Sequence, residues 1–415
     1  MAGICGIYAF DEIWNVSRFV YYQLMAIQSR GQEGVGLSVT DYEKVRTLTA
    51  SGTVQESLLS EKINELTGPA GVGGVSTRGI NGYVTEDVAI YYDGSVELTA
   101  DAVDALRNDL ETMKEEDAVR RFTSKLSGAY SMIILTKDKM IATRDALGIK
   151  PFVIGGVGFD LAVVASETSA LDVIGAEFSR DIEPGEIVVI DKHYIDEIKS
   201  EQRKDPAHCI FEYVYLARID SKINEIDVHE IRKKIGVLLA KEKPVEADVV
   251  IGVPETAIPF AMSYSNKTGI PIDIGFMRTG RHLRTAIRPT QMERMIGVQL
   301  KLNPVKTAVR GKRVVLIDDS VVRGTTMRNI VNLLRKRGAK EVHVRIGSPQ
   351  LVSPCPFGTE VPATDELIAV ENTEDEIARI IDADSFGYLH LEDLKKALGG
   401  ECYCSGCMTG TYPEV

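Results

Sequence analysis

Two adjacent carboxylates at the end of an apolar run carry the sharpest chemical signal in this chain. The run Val314-Val315-Leu316-Ile317 leads into Asp318-Asp319-Ser320-Val321-Val322-Arg323-Gly324-Thr325-Thr326. A buried strand that delivers two carboxylates into a small-residue loop, which then opens a helix, presents backbone N–H groups and the Ser320, Thr325 and Thr326 hydroxyls to a phosphate monoester. Gly324 permits close backbone approach, and Asp318 and Asp319 can accept hydrogen bonds from two ribose hydroxyls. No Lys follows the glycine, so this is not a GxxxxGK loop. A second cluster closes the chain: Cys404-Ser405-Gly406-Cys407 has the C-x-x-C spacing that lets two thiolates bind one metal or cluster. Cys402 stands beside it, Cys209 and Cys355 stand alone, and Cys5 lies near the start.

The elements that must position these groups fall into two rhythms. Residues 5–10 read as a strand and Val16–Ser29 as a helix with apolar positions at helical spacing. Short strand-like runs follow at Val35–Val39, Val88–Tyr92, Tyr130–Leu135, Met140–Thr143, Phe152–Gly155, Leu161–Ala165 and Ile187–Ile190, separated by turn clusters. The charged stretch Asp196–Asp205 reads as a crossover linker. Beyond it strands alternate with helices: helix Val228–Lys243, strand Val249–Val253, helix Pro259–Thr268, strands Ile272–Phe276 and Val314–Ile317, helix Thr325–Arg337 and strand Glu341–Ile346. That alternation predicts a parallel sheet whose ligand site lies at the C-terminal strand ends.

Composition bounds the rest. The 415 residues suit two domains, and 48 basic against 60 acidic residues give a net charge of −12, which argues against broad nucleic-acid binding. No apolar run reaches the ~18–20 residues that span a bilayer, and residues 1–10 lack a secretory signal. The expectation is a soluble, cytoplasmic protein with no membrane partner, in which six cysteines serve as ligands, nucleophiles or buried thiols rather than disulfides.

The Asp318–Thr326 pattern resembles the signature of type I phosphoribosyltransferases, which bind 5-phosphoribosyl diphosphate (PRPP) with Mg²⁺. The resemblance implies that Asp318 and Asp319 hold the ribose, Ser320–Thr326 the 5-phosphate, and Pro254-Glu255-Thr256 the diphosphate, with Thr256, Asp318 and Asp319 supporting the metal. Cys5-Gly6-Ile7-Tyr8, followed by Ser29-Arg30-Gly31-Gln32-Glu33-Gly34, resembles the class II glutamine amidotransferases. So do Leu126-Ser127-Gly128-Ala129-Tyr130, Arg144–Pro151, Ser166–Leu171 and Arg180–Glu186. Taken in order, these motifs and Cys209-Ile210-Phe211-Glu212-Tyr213 resemble the amidophosphoribosyltransferase family along most of the chain.

The resemblance implies an N-terminal αββα sandwich of the Ntn-hydrolase kind followed by a parallel-sheet phosphoribosyltransferase domain, α+β then α/β. The expected division is a possible propeptide at 1–4, a glutaminase domain at 5–205, a synthase domain at 206–400 and a Cys-rich segment at 401–415. It implies that a Cys5 thiolate, freed by propeptide cleavage, attacks glutamine with its own α-amine as base, with Arg30, Asp93 and Gly94 in the same site. Released ammonia then displaces pyrophosphate from PRPP, the first step of purine synthesis. Four cysteines match the family's [4Fe–4S] ligands: Cys209, Cys355, Cys404 and Cys407. Zinc, free thiols, or Cys402 as an alternative ligand remain open. Homodimers or homotetramers inhibited by purine nucleotides are also implied.

Three departures accompany the resemblance. The family's Arg-Tyr-Ser-Thr segment reads Gly74-Val75-Ser76-Thr77, with Arg78 after it; the family's His-Asn-Gly reads Tyr92-Asp93-Gly94; and Ser95–Arg107 lacks the family's amino-group loop. An Asp cannot donate to an oxyanion as an Asn amide does. The alternative is therefore a chain without working glutaminase, either ammonia-dependent or a non-catalytic PRPP or nucleotide sensor. In the back half, Arg278–Thr285 matches the family's flexible loop only at Arg284-Thr285, and Arg284 is the expected PRPP contact there.

Overall fold

The computed structural model describes residues 1–58, 60–199, 205–278, 302–400 and 402–414. The front half is two antiparallel sheets packed face to face. The first runs in the order Glu177–Asp181, Val153–Val157, Leu161–Ala165, Ala2–Ala9, Ala70–Ser76, Gly34–Thr40, Val45–Ser51. The second runs Ile195–Ile198, Ile187–Ile190, Met140–Arg144, Tyr130–Leu135, Ala89–Gly94, Gly82–Val84.

Side-chain alternation builds three cores from these two sheets. Along the first strand, Ile4 and Tyr8 meet Tyr91, Ile133 and Met140 of the second sheet. Cys5, Ile7 and Ala9 point the other way, toward Val20 and Leu24 of the helix Ser17–Ala26. Helices Ala100–Thr112 and Glu115–Thr123 cover the outer face of the second sheet through Val103, Leu106, Val119 and Phe122. The layers are helix, sheet, sheet, helix, as expected.

The back half carries four parallel strands in the order Val249–Gly252, Arg313–Asp318, Glu341–Ile346, Ser385–Tyr388. The continuous Val/Ile/Leu runs of Val249–Gly252 and Arg313–Asp318 are buried on both faces, as parallel sheets require. Among the described residues no helix is long and apolar enough to cross a membrane.

The structure differs from expectation at several elements. The first strand begins at Ala2, not residue 5, because residues 2–4 already pair with Gly74–Ser76. The expected strand Ile272–Phe276 is a single bridge, Ile272 to Val250, before a two-residue strand Phe276–Met277. The expected linker starts as an edge strand, Ile195–Ile198, paired with Ile187–Ile190. The Val16–Ser29 helix stops at Ala26, and a 3₁₀ turn, Gln28–Arg30, swings Arg30 inward.

Candidate active site

The strand Arg313–Asp318 ends in the two carboxylates, and helix Thr325–Lys336 begins seven residues later. Gly324 precedes that helix at φ 75°, and an added Cβ would lie 2.6 Å from Ile368 Cδ1, so both backbone and space demand glycine. No side chain caps the helix start, leaving its first N–H groups turned toward the cavity. Asp318 to Met327 form one wall of a cavity of about 540 Å³; Tyr215, Phe211, Leu351, Arg78 and Glu360–Pro362 complete it.

Within the loop, Asp319 N–H donates to Asp318 Oδ1 at 2.9 Å and Ser320 Oγ to Asp319 Oδ1 at 2.7 Å. Burial pushes Asp319 up to about 6, and burial together with the Asp319 charge pushes Asp318 well above the usual carboxylate range. Such a pair is poised to exchange protons for hydroxyl donors or a cation. The Val253 N–H donates to Ile317 O at 2.9 Å, which brings the Pro254-Glu255-Thr256 turn to the same strand end, with Thr256 near enough to Asp319 to draw its carboxyl down. Glu255 itself is exposed and sits 3.6 Å from Arg278. Arg323 turns outward to Glu366 at 2.5 Å. Arg284 lies outside the described residues.

The front-half candidates behave differently. Cys5 is completely buried in mid-strand, paired with Ala165 on one side and Gly73 on the other. Its Sγ faces Val20 O at 4.0 Å, and burial alone pushes the thiol far up, away from thiolate. It lines neither this cavity nor the smaller one described below. Freeing it by cleavage after Ile4 would delete three rungs of the sheet and still leave the thiol facing the helix.

Arg30 and Asp93 are likewise sealed, at 0% exposure. Arg30 meets Glu212 Oε2 at 2.6 Å, Asp93 Oδ2 at 3.4 Å and the Glu167 carboxylate. Burial pulls the guanidinium down, yet Glu167, Glu212 and Asp93 hold it above its ordinary value. Glu167 Oε2 also accepts from Arg218 N–H at 2.8 Å and Ser221 Oγ at 2.6 Å. Lys150, fully buried, donates to Thr359 Oγ1 at 3.2 Å, and Asp93 heads the groups that sustain its charge against burial. This network clasps the two halves: Glu212 opens the π-helical turn Glu212–Leu216, whose Tyr215 lines the large cavity. Neither Arg30 nor Asp93 is presented to a substrate.

Gly94 does face space. A polar cavity of about 280 Å³ is bounded by Met1, Thr77, Arg78, Asn81 and Gly94 from the front half and by Cys355 and Gly358–Val361 from the back. It shares Arg78, Glu360 and Val361 with the large cavity. Sequence reasoning missed Ala2, Lys150, Glu167 and Glu212. The signal available was a charge inside an apolar run, as in Ile210-Phe211-Glu212-Tyr213-Val214, since a buried charge needs a partner.

The cysteines converge on one apolar cluster. Cys209 and Cys404 are opposed in a two-residue parallel ladder, and Cys407 O accepts the Val352 and Ser353 N–H groups. Cys355 packs against the same cluster and its Sγ accepts Phe357 N–H at 3.4 Å. Burial raises Cys404 to about 11, Cys407 to about 12 and Cys209 well above the ordinary thiol value. Among the described residues no three of these sulfurs lie within 4.8 Å of one another. Cys402 is exposed and stands apart.

Comparison with known proteins agrees with this layout. A phosphoribosyl transferase domain model matches residues 223–346 and a glutamine amidotransferase domain model residues 95–173. The chain is 40% identical to the amidophosphoribosyltransferase of Methanocaldococcus jannaschii, covering 100% of this chain and 98% of that protein. With the Bacillus subtilis enzyme it shares 36% identity over 99% and 94%. The solved glutamine PRPP amidotransferase of B. subtilis in complex with ADP and GMP superposes with a TM-score of 0.89 at 35% identity, covering 100% of this chain and 97% of that one. A second solved structure, an allosteric regulatory enzyme of purine biosynthesis, gives 0.90 at 35% identity over 100% and 96%. A PRPP-type loop at the end of a parallel strand, an αββα sandwich before it and full-length likeness to these proteins lead to one conclusion: the chain belongs to the amidophosphoribosyltransferase family and is a pentosyltransferase.

Proposed function

We propose that the large cavity holds PRPP and that the chain aminates its C1 to give 5-phosphoribosylamine and pyrophosphate. The observation that carries this reading is the Asp318–Thr326 wall, two carboxylates followed by an uncapped helix start around one cavity. Asp318 and Asp319 accept the ribose hydroxyls, the loop and helix N–H groups take the 5-phosphate, and Thr256 meets the diphosphate. The residues Thr256, Asp318 and Asp319 suit Mg²⁺, which when bound supplies neutralisation of the departing diphosphate. No side-chain nucleophile is required; positioning and electrostatic stabilisation carry the reaction. Titration calorimetry with PRPP and Mg²⁺ tests it: saturable heat, lost in Asp319→Asn, is expected, and absence of heat in the unmodified protein sinks the reading.

The same proposal assigns Cys209, Cys355, Cys404 and Cys407 to a [4Fe–4S] cluster that staples the C-terminal segment to the synthase half. Anaerobic protein should carry about four irons and four sulfides per chain with broad visible absorbance; stoichiometric zinc and no iron would refute that assignment. Residues to about 205 form the front unit, 206–400 the synthase unit and 401–415 the stapled segment. Purine nucleotides as inhibitors, assembly of the chain into homo-oligomers and a cytoplasmic place in purine synthesis complete the reading.

A further inference from the structure

Glutamine hydrolysis of the kind the front half resembles needs a nucleophile beside the oxyanion donor, a cation for the substrate carboxylate and a donor for the oxyanion. The residue whose main chain meets Asp93 is Ala2: its N–H donates to Asp93 Oδ1 at 2.9 Å. Its side chain is a methyl group. Cys5 is three residues along the strand, about 10 Å away, on the opposite face of the sheet. Bringing Cys5 to the place of Ala2 means slipping the strand by an odd number, which would turn Ile4 and Tyr8 out of the inter-sheet core. Seven rungs to Ala70–Ser76 and five to Leu161–Ala165 oppose that slip.

The other two requirements are not met as the resemblance would have them, and Arg78, which borders the smaller cavity, is exposed and lies 3.5 Å from Glu360 Oε1. Gly74 stands where the resemblance puts the carboxylate-binding Arg, and an added Cβ there would already be 3.0 Å from Tyr91 Cδ1. The Tyr91 ring therefore fills the path an arginine would take. Asp93 is an acceptor, committed to Ala2 N–H and to Arg30, so an oxyanion meets a carboxylate instead of a donor. What remains is the polar cavity beside Gly94, which shares Arg78, Glu360 and Val361 with the lining of the larger cavity.

We infer that this chain does not hydrolyse glutamine and takes its nitrogen as free ammonia; the inference rests on the PRPP reading above. The ammonia lone pair forms the new C1–N bond, the C1–O bond to the diphosphate breaks with its electron pair leaving on pyrophosphate, and one N–H proton passes to solvent. A separate ammonia-releasing reaction, a deamination or an amide hydrolysis, must supply the nitrogen.

The test follows pyrophosphate and glutamate separately, on full-length protein with PRPP and Mg²⁺. With ammonium chloride, pyrophosphate release should be saturable, and at fixed total ammonium it should rise about tenfold per pH unit below the ammonium pKa, because neutral NH₃ reacts. With glutamine it should be at least about 10³-fold slower, with no glutamate formed. A glutamine-analogue diazoketone should leave the intact mass unchanged. Glutamate formation, or a stoichiometric adduct, overturns the inference while sparing the PRPP reading. Pyrophosphate release with neither donor overturns the PRPP reading and the ammonia assignment together.

Discussion

The two cavities of this molecule share a wall and differ in what holds them together. The larger cavity, proposed above for PRPP, keeps its candidate groups on main-chain N–H groups and short side chains at a strand end, with Asp318 and Asp319 lining it. In the front half, Arg30 and Asp93 are sealed in an ion network with Glu167 and Glu212, while Gly94 borders the smaller cavity beside Met1, Thr77, Arg78 and Asn81. A site built from backbone persists as long as the fold does. One built from a few charged side chains can be converted into a clasp between halves, because a buried cation serves structure as readily as substrate binding.

Variants can break or sharpen that contrast. The largest effect is expected from Asp318→Asn with Asp319→Asn. Replacing both acceptors, each worth ~1.5–3 kcal/mol to a charged hydrogen bond, should lower kcat/KM by about 10⁴-fold with little change in melting temperature; an active double variant would remove the carboxylates from the site. Arg30→Met should act oppositely, on stability. It strands three buried carboxylates at a cost of roughly 3–5 kcal/mol, seen as a lower thermal midpoint, and an unchanged midpoint would deny the clasp.

A smaller loss is expected from Gly324→Ala, which forces a side chain to φ 75° against Ile368. About 1–2 kcal/mol of destabilisation and weaker PRPP binding by calorimetry should appear together. Smallest is Cys5→Ala. Removing one buried sulfur should cost about 1 kcal/mol in denaturant unfolding and leave ammonium-driven pyrophosphate release unaltered; glutamate formation from glutamine by the parent protein that Cys5→Ala abolishes at constant stability would restore Cys5 to the chemistry.

Much of the fold was legible because its strands carry their own periodicity. Tyr130–Leu135, Leu161–Ala165, Ile187–Ile190 and Glu341–Ile346 have the bounds their apolar runs predict. Gly-rich strands such as Ala70–Ser76 did not declare themselves, since glycine contributes no side-chain pattern and its pairing is set by neighbours on both sides. The register of the first strand is hard to read for a related reason. Ala2-Gly3-Ile4 and Cys5-Gly6-Ile7 repeat one Xaa-Gly-Ile triplet three residues apart, and a local motif cannot choose between two registers of itself.

The amino-acid order alone determined the main strand and helix runs, the Asp318–Thr326 loop and, through its motifs, the family likeness, because each is written within a few consecutive residues whose local geometry follows from their types. Only the tertiary structure decided which triplet residue meets Asp93, that Arg30 faces Glu212 across the two halves, and that four distant cysteines share one cluster. Those are matters of strand parity and of contacts between segments up to 198 residues apart, Cys209 to Cys407, and no short stretch of sequence contains them.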